Sequence, residues 1–166
     1  MQQHAQQAEG PLMLTRVPAP VNDVLRRLTT IVLIAVPVNY LWELAQSSLY
    51  LPPSRLVDML WHCFVASLGD GVIIGFIYAA CAILFRDCDW YGRMSLSRWG
   101  VLLTANLTVG TLVEWAGLRL HRWSYADTMP LVPGVGIGLV PILQMLALPL
   151  MIFWTCRSRS LRRPCG

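Results

Sequence analysis

The chain has 166 residues, 55% of them hydrophobic and only 13% charged, with a mean hydropathy of +0.53. Soluble domains usually carry about 25% charged residues, so this chain lacks the polar surface needed to face water on all sides. Its formal net charge of +4 comes with 13 arginines and no lysine, set beside apolar runs rather than interleaved with aromatics, which argues against a nucleic-acid partner.

Residues 1 to about 27 read as a flexible polar tail, rich in Gln and broken by Pro11, Pro18 and Pro20. Arg26 and Arg27 then introduce the first apolar run. Ala45-Gln46-Ser47 has the small-x-small form of a cleavage site, but Trp42 and Glu43 directly precede it, so an uncleaved helix is expected.

Crossing a bilayer takes about 20 mostly apolar residues. Four segments meet that length: 28–50, 60–85, 99–118 and 135–156, followed by a basic tail over 157–166. Charge or proline bounds each one: Arg27, then Pro52, Pro53 and Asp58, then Arg86, Arg98, Arg119, Pro133 and Arg157. The expected fold is an all-α, polytopic membrane protein, a bundle of four transmembrane helices. Pro37, Pro141 and Pro149 each remove a helical hydrogen bond and predict kinks in the first and fourth helices.

Arginine placement predicts the orientation. Arg16, Arg26, Arg27, Arg86, Arg93, Arg98, Arg157, Arg159, Arg162 and Arg163 fall on one side; Arg55, Arg119 and Arg122 fall on the other. Ten against three puts both termini in the cytoplasm of a cell with an inner membrane. The cysteines, Cys63, Cys81, Cys88, Cys156 and Cys165, show no CxxC pair or zinc-like spacing, and no disulfide is expected.

Ionisable groups inside a membrane cost about 2.5–3.5 kcal/mol or more at the centre and tend to mark function. Glu43, His62, Asp70 and Glu114 are the candidates here. At a rise of about 1.5 Å per residue, Glu43 lies roughly 12 Å and Glu114 roughly 7 Å below the same side, His62 lies within about one turn of it, and Asp70 is near mid-membrane. Asn39, Glu43, Gln46 and Tyr50 form one stripe of the first helix. Cys63, Ser67 and Asp70 share a face of the second helix, with His62 at its edge. On that helix Ser67, Gly71, Gly75 and Ala79 recur every four residues, a smooth stripe suited to close helix packing. On the third helix Gly110 and Gly117 flank Glu114 and predict room around its carboxylate. Gln144 is the lone strongly polar residue of the fourth helix.

Between the third and fourth helices, Arg119, His121, Arg122, Trp123 and Tyr125 read either as an interfacial aromatic anchor or as a lid in which Arg122 meets an anionic headgroup. Gly134, Gly136 and Gly138 predict flexibility where the chain re-enters; without strand or βαβ context they are no nucleotide fingerprint.

Four readings of the polar residues stay open. Glu43, His62 and Glu114 could hold a metal ion, although neither HExxH nor ExxH occurs. Glu43 and Glu114 could act as acid and base on a lipid-like molecule, with His62 and Gln46 orienting it and Arg122 and Trp123 gating. Asp70 and the glutamates could relay protons in transport. The fourth reading is structural: the groups bond one another within an accessory subunit of a membrane partner protein.

The string Asn39-x-x-Trp42-Glu43-x-x-Gln46, His62-Cys63, Gly69-Asp70, Glu114, Arg122-Trp123-x-Tyr125, Met129-Pro130 and Pro141-x-x-Gln144 resembles small uncharacterised bacterial four-helix membrane proteins. It is also faintly similar to membrane-embedded carotenoid (lycopene) cyclases, which carry a Pro-x-Glu-Glu type motif where this chain reads Pro141-Ile142-Leu143-Gln144. That likeness implies a hydrophobic, lipid-like substrate.

Overall fold

A computed structural model describes residues 21–51 and 55–160, with side chains as far as Arg157. The tail reading of residues 1–20, the Pro52-Pro53 boundary, and the expectations for Arg16, Arg162, Arg163, Cys165 and the side chain of Arg159 lie outside the described residues. The helices are α1 (Val21–Gln46), α2 (Leu56–Phe85), α3 (Leu96–Arg119) and α4 (Leu139–Ser160). Short 3-10 turns occupy Ser47–Leu49 and Trp90–Gly92. Four stretches are long and apolar enough to cross a membrane: Val21–Leu49, Leu56–Phe85, Leu96–Arg119 and Leu139–Arg157.

Most boundaries differ from the sequence expectation, α2 beginning at Leu56 and α3 at Leu96, and two of the differences bear on the prolines and the first turn. The first helix begins at Val21 rather than Leu28, with Asp23 in its first turn, where a carboxylate favours the helix dipole. Asp23 accepts from Arg26 at 3.0 Å, so this polar turn supports itself. The fourth helix begins at Leu139 rather than Val135. Pro141 therefore falls in its first turn, where a missing N–H breaks no helical bond. Among the prolines expected to interrupt helices, Pro37 and Pro149 are the interior ones.

The small stripe of α2 faces α1. Ser67, Gly71 and Gly75 are buried. A Cβ added at Gly71 would meet Val36 Cγ2 at 2.7 Å, and one at Gly75 would meet Leu28 Cδ1 and Val32 Cγ2 at 3.1 Å. Hydrogen at these positions lets the two helices approach closely, the usual basis of association where water exclusion cannot drive it. Helix α4 packs against both α1 and α3, whereas α2 and α3 barely touch.

The two ends of the bundle close differently. At the arginine-rich end the α2–α3 connection folds inward as a plug. Trp90 is fully buried, with its ring 5.0 Å from that of Phe153, and Tyr91 is 4% exposed. Arg27 donates to Asp89 at 3.0 Å and to the Tyr91 hydroxyl at 2.9 Å. Burial pushes the Tyr91 phenol above its ordinary pKa, against the opposing pull of Arg27. Arg98 donates to Asp87 and to the carbonyls of Trp90 and Arg93. The sequence reading took these arginines only as markers of orientation.

At the other end, Leu51 N–H donates to the Ser124 carbonyl and Ala126 N–H to the Leu49 carbonyl, both at 2.9 Å. These bonds set Tyr50 antiparallel to Tyr125. The glycines expected to loosen the next stretch instead define a turn. Gly134 and Gly136 hold φ of +79° and +71°, a conformation costly for residues with a Cβ. The bonds from Val132 N–H to the Ile137 carbonyl (2.8 Å) and from Leu139 N–H to the Pro130 carbonyl (2.7 Å) close it.

The glycine contacts separate two substitutions. Gly71→Val should lower stability by about 1–3 kcal/mol through overpacking against Val36. Gly69→Ala, with nothing within 4 Å of its added Cβ, should stay within about 1 kcal/mol of the parent. Thermal unfolding of both variants in one detergent gives the comparison.

Candidate functional site

Near the end closed by Tyr50 and Tyr125, the splay of α2 from α3 leaves a cavity of about 800 Å³. Its lining includes Glu43, Asp70, Glu114 and Gln144. Two hydrogen-bond networks organise these residues.

The first is centred on Gln144, which is 3% exposed. Its Nε2 lies 3.1 Å from Asn39 Oδ1 and 2.9 Å from both Glu43 Oε1 and Asp70 Oδ2. Its Oε1 accepts from Gln46 Nε2 at 2.9 Å. Gln46 Nε2 also lies 2.9 Å from Glu43 Oε1, and its own Oε1 accepts from Trp42 Nε1 at 3.1 Å. Asn39 donates to the Ala35 carbonyl at 2.8 Å. One side chain of α4 thus gathers acceptors from α1 and α2. An amide nitrogen carries two hydrogens, so Gln144 cannot give a separate full bond to each of its three acceptors.

The second network surrounds Glu114 on α3. Its Oε2 accepts from Tyr125 OH at 2.5 Å and from Trp123 Nε1 at 3.2 Å. Tyr50 OH stands 3.5 Å from Oε1, a weak contact. The Tyr125 hydroxyl accepts in turn from Gly138 N–H at 2.9 Å. Burial raises the Tyr125 phenol above its ordinary pKa, with the Glu114 contact adding to the shift, so it remains a donor at neutral pH.

The space predicted beside Glu114 is occupied, because neighbouring side chains enter the two glycine sites. A Cβ at Gly110 would meet Met145 Cβ and Cγ at 3.0 Å, and one at Gly117 would overlap the indole of Trp123. Gly117 is the reason Trp123 can lie against α3 and reach the carboxylate.

The structure thus brings Asn39, Glu43, Gln46, Asp70 and Gln144 into one network and Glu114, Trp123 and Tyr125 into a second, with Glu43, Asp70, Gln144, Glu114 and Trp123 lining the cavity. It does not bring His62 or Arg122 into either. His62 is exposed and its Nδ1 lies 2.6 Å from the Asp58 carbonyl one turn earlier, a local bond that competes with any reach toward a carboxylate. Arg122 is exposed and lines the cavity at its mouth. Among the described residues, no group of three His, Cys, Asp or Glu side chains could hold a metal ion. Cys63 and Cys81 are free thiols, and Cys63 lines the cavity.

Two contributors escaped the sequence reading as site residues. Trp42 is signalled by its i, i+4 spacing to Gln46. Tyr50 ends the polar stripe of α1, but its contact with Glu114 depends on the strand-like pairing with residues 124–126. Compared with models of protein families, with curated proteins and with solved structures, the chain matches none.

The Gln144 network predicts strong coupling. Gln144→Leu should cost about 3 kcal/mol, because Glu43 and Asp70 would lose a buried donor. A double-mutant cycle with Gln46→Leu should return an interaction energy of about 0.5–3 kcal/mol from unfolding midpoints. Additive losses would mean that the two amides do not bond.

Proposed function

We propose that this chain binds a hydrophobic, lipid-like molecule in the cavity and transforms it by acid–base chemistry, as a multi-pass protein of an inner membrane with both termini cytoplasmic. The observation that carries the reading is that Glu43, Asp70 and Glu114 line one cavity whose other lining residues are largely apolar. Buried carboxyl groups beside an apolar space suit proton transfer, because they can change protonation state where water is scarce. Glu43 Oε1 and Glu114 Oε2 are held by neighbouring donors, which fixes each carboxyl group and leaves its second oxygen for a ligand.

The topology rests on arginine placement. Arg27 and Arg98 meet the same inter-helix plug, and Arg86 and Arg93 belong to the same connection. Arg55, Arg119 and Arg122 belong to the opposite end, and such an imbalance favours a cytoplasmic arginine-rich end. The cavity then opens in the half of the membrane away from the cytoplasm. The faint likeness of Glu114 followed by Trp123-x-Tyr125, with a proline-led final helix, to carotenoid cyclases supports the same substrate class, while Pro141-Ile142-Leu143-Gln144 lacks their acidic pair. A second reading, a non-catalytic accessory subunit, is favoured by the way Gln144 ties α4 to α1 and α2.

Glu43→Gln and Glu114→Gln separate the two. For an enzyme, either variant should keep the parent unfolding midpoint and lose about 100-fold or more in turnover of the molecule that co-purifies in mild detergent and is identified by mass. For an accessory subunit, the same variants should lower the midpoint or release a co-purifying partner protein. Orientation has its own measurement: alkaline phosphatase fused within the α3–α4 connection should be active, and fused after Arg157 it should be inactive.

A further inference from the structure

Carboxylates at the two ends of this bundle have different partners. Asp23, Asp87 and Asp89 each lie within 3.6 Å of an arginine nitrogen. Glu43, Asp70 and Glu114 form no such ion pair among the described residues. Their hydrogen-bond capacity is also unevenly used. Gln144 meets Glu43 through Oε1 and Asp70 through Oδ2, so Glu43 Oε2 and Asp70 Oδ1 accept from no group among the described residues. Glu114 Oε1 has only the 3.5 Å contact from Tyr50. The donors that reach these groups, Gln46 Nε2, Gln144 Nε2, Trp123 Nε1 and Tyr125 OH, are committed to acceptors already in place. The inner lining therefore offers spare acceptors and few uncommitted donors, which belong instead to Arg122, His62 and His121.

Aromatic side chains also line the cavity: Trp61, Trp123 and Tyr50. Ring faces beside carboxylates attract an ammonium group, through the ring quadrupole and through charge-assisted hydrogen bonds. A metal ion is a poorer fit, because no three metal-ligating side chains converge among the described residues. Val65, Gly69 and Ile73 of α2 and Val113 of α3 line the cavity where those two helices barely touch, and Gly69 has no atom within 4 Å of where its Cβ would be.

We propose that the cavity takes the ammonium head of a long-chain amine, held at Glu43, Asp70 and Glu114, with its hydrocarbon chain leaving between α2 and α3 beside Gly69. This assignment rests on the lipid-like reading above and narrows it to one head chemistry. Arg122, His62 and His121 stand exposed at the mouth and would favour a carboxylate head instead. The Arg122 charge is screened by water, whereas Glu114 is buried and Glu43 and Asp70 are partly buried, so an ammonium group meets these carboxyl groups in a lower dielectric.

The test uses the full chain in phosphatidylcholine nanodiscs, titrated with hexadecylamine, hexadecanol and palmitate, with empty nanodiscs as reference and tryptophan fluorescence as readout. Hexadecylamine should bind about tenfold or more tighter than either other probe, the factor that a charge-assisted bond supplies. Gly69→Leu, whose Cβ would meet no atom within 4 Å, should weaken hexadecylamine about tenfold while keeping the parent unfolding midpoint, and Glu43→Gln should erase its preference over hexadecanol. Equal saturable binding of all three chains, or tighter palmitate, overturns the ammonium assignment and leaves the lipid-like reading standing. Saturable amine binding that Gly69→Leu leaves unchanged overturns the proposed exit. Absence of saturable binding by any of the three sinks the assignment and the lipid-like reading together.

Discussion

A polar group removed from water must find a partner within the protein, and in this chain that demand converges on Gln144. Among the described residues of α4 it is the only amide or charged side chain before Arg157, and it is almost wholly buried. It draws Asn39 and Glu43 of α1 and Asp70 of α2 to within hydrogen-bond distance. Apolar contact alone would permit α4 to rotate or slide against its neighbours. The amide removes that freedom, because any other register would leave several acceptors without a donor, each costing about 1–3 kcal/mol or more. The position of the site therefore follows from satisfying buried polar groups.

The remaining architecture supports this constraint from both ends. Gly71 and Gly75 let α1 and α2 approach closely, which holds Glu43 and Asp70 near the same amide. At the arginine-rich end, Trp90, Tyr91 and the Arg27–Asp89 pair fill the space between the helices. At the other end, the backbone bonds between residues 49–51 and 124–126 bring Tyr50 and Tyr125 together over Glu114. The bundle is tight along α1 and open between α2 and α3. That asymmetry turns a network of buried polar groups into a lined cavity rather than a sealed core.

Particular residues show how far local reasoning reached. Asn39, Glu43 and Gln46 share one face of α1 at helical spacing, and they do meet a common partner. Gly110 and Gly117 were equally legible as small residues around Glu114, yet they mark places that Met145 and Trp123 fill. A glycine in a sequence states that a side chain is absent; it does not state what enters the space. His62 illustrates a similar limit, because its sequence position beside Cys63 and near Asp70 says nothing of its rotamer, and the carbonyl one turn away satisfies its ring.

Hydropathy and length alone determined four helices capable of spanning a membrane, since a run of apolar side chains carries its preference wherever the chain folds. Helical periodicity likewise determined which face of α1 is polar. Only the tertiary structure decided that Gln144 is the hub, that Trp123 and Tyr125 hold Glu114, that the α2–α3 connection is a packed plug, and that the cavity lies between α2 and α3. Those features depend on rotation and register between helices far apart in the chain. Periodicity assigns a residue to one face of its own helix, but the partner of that face is set by packing among all four.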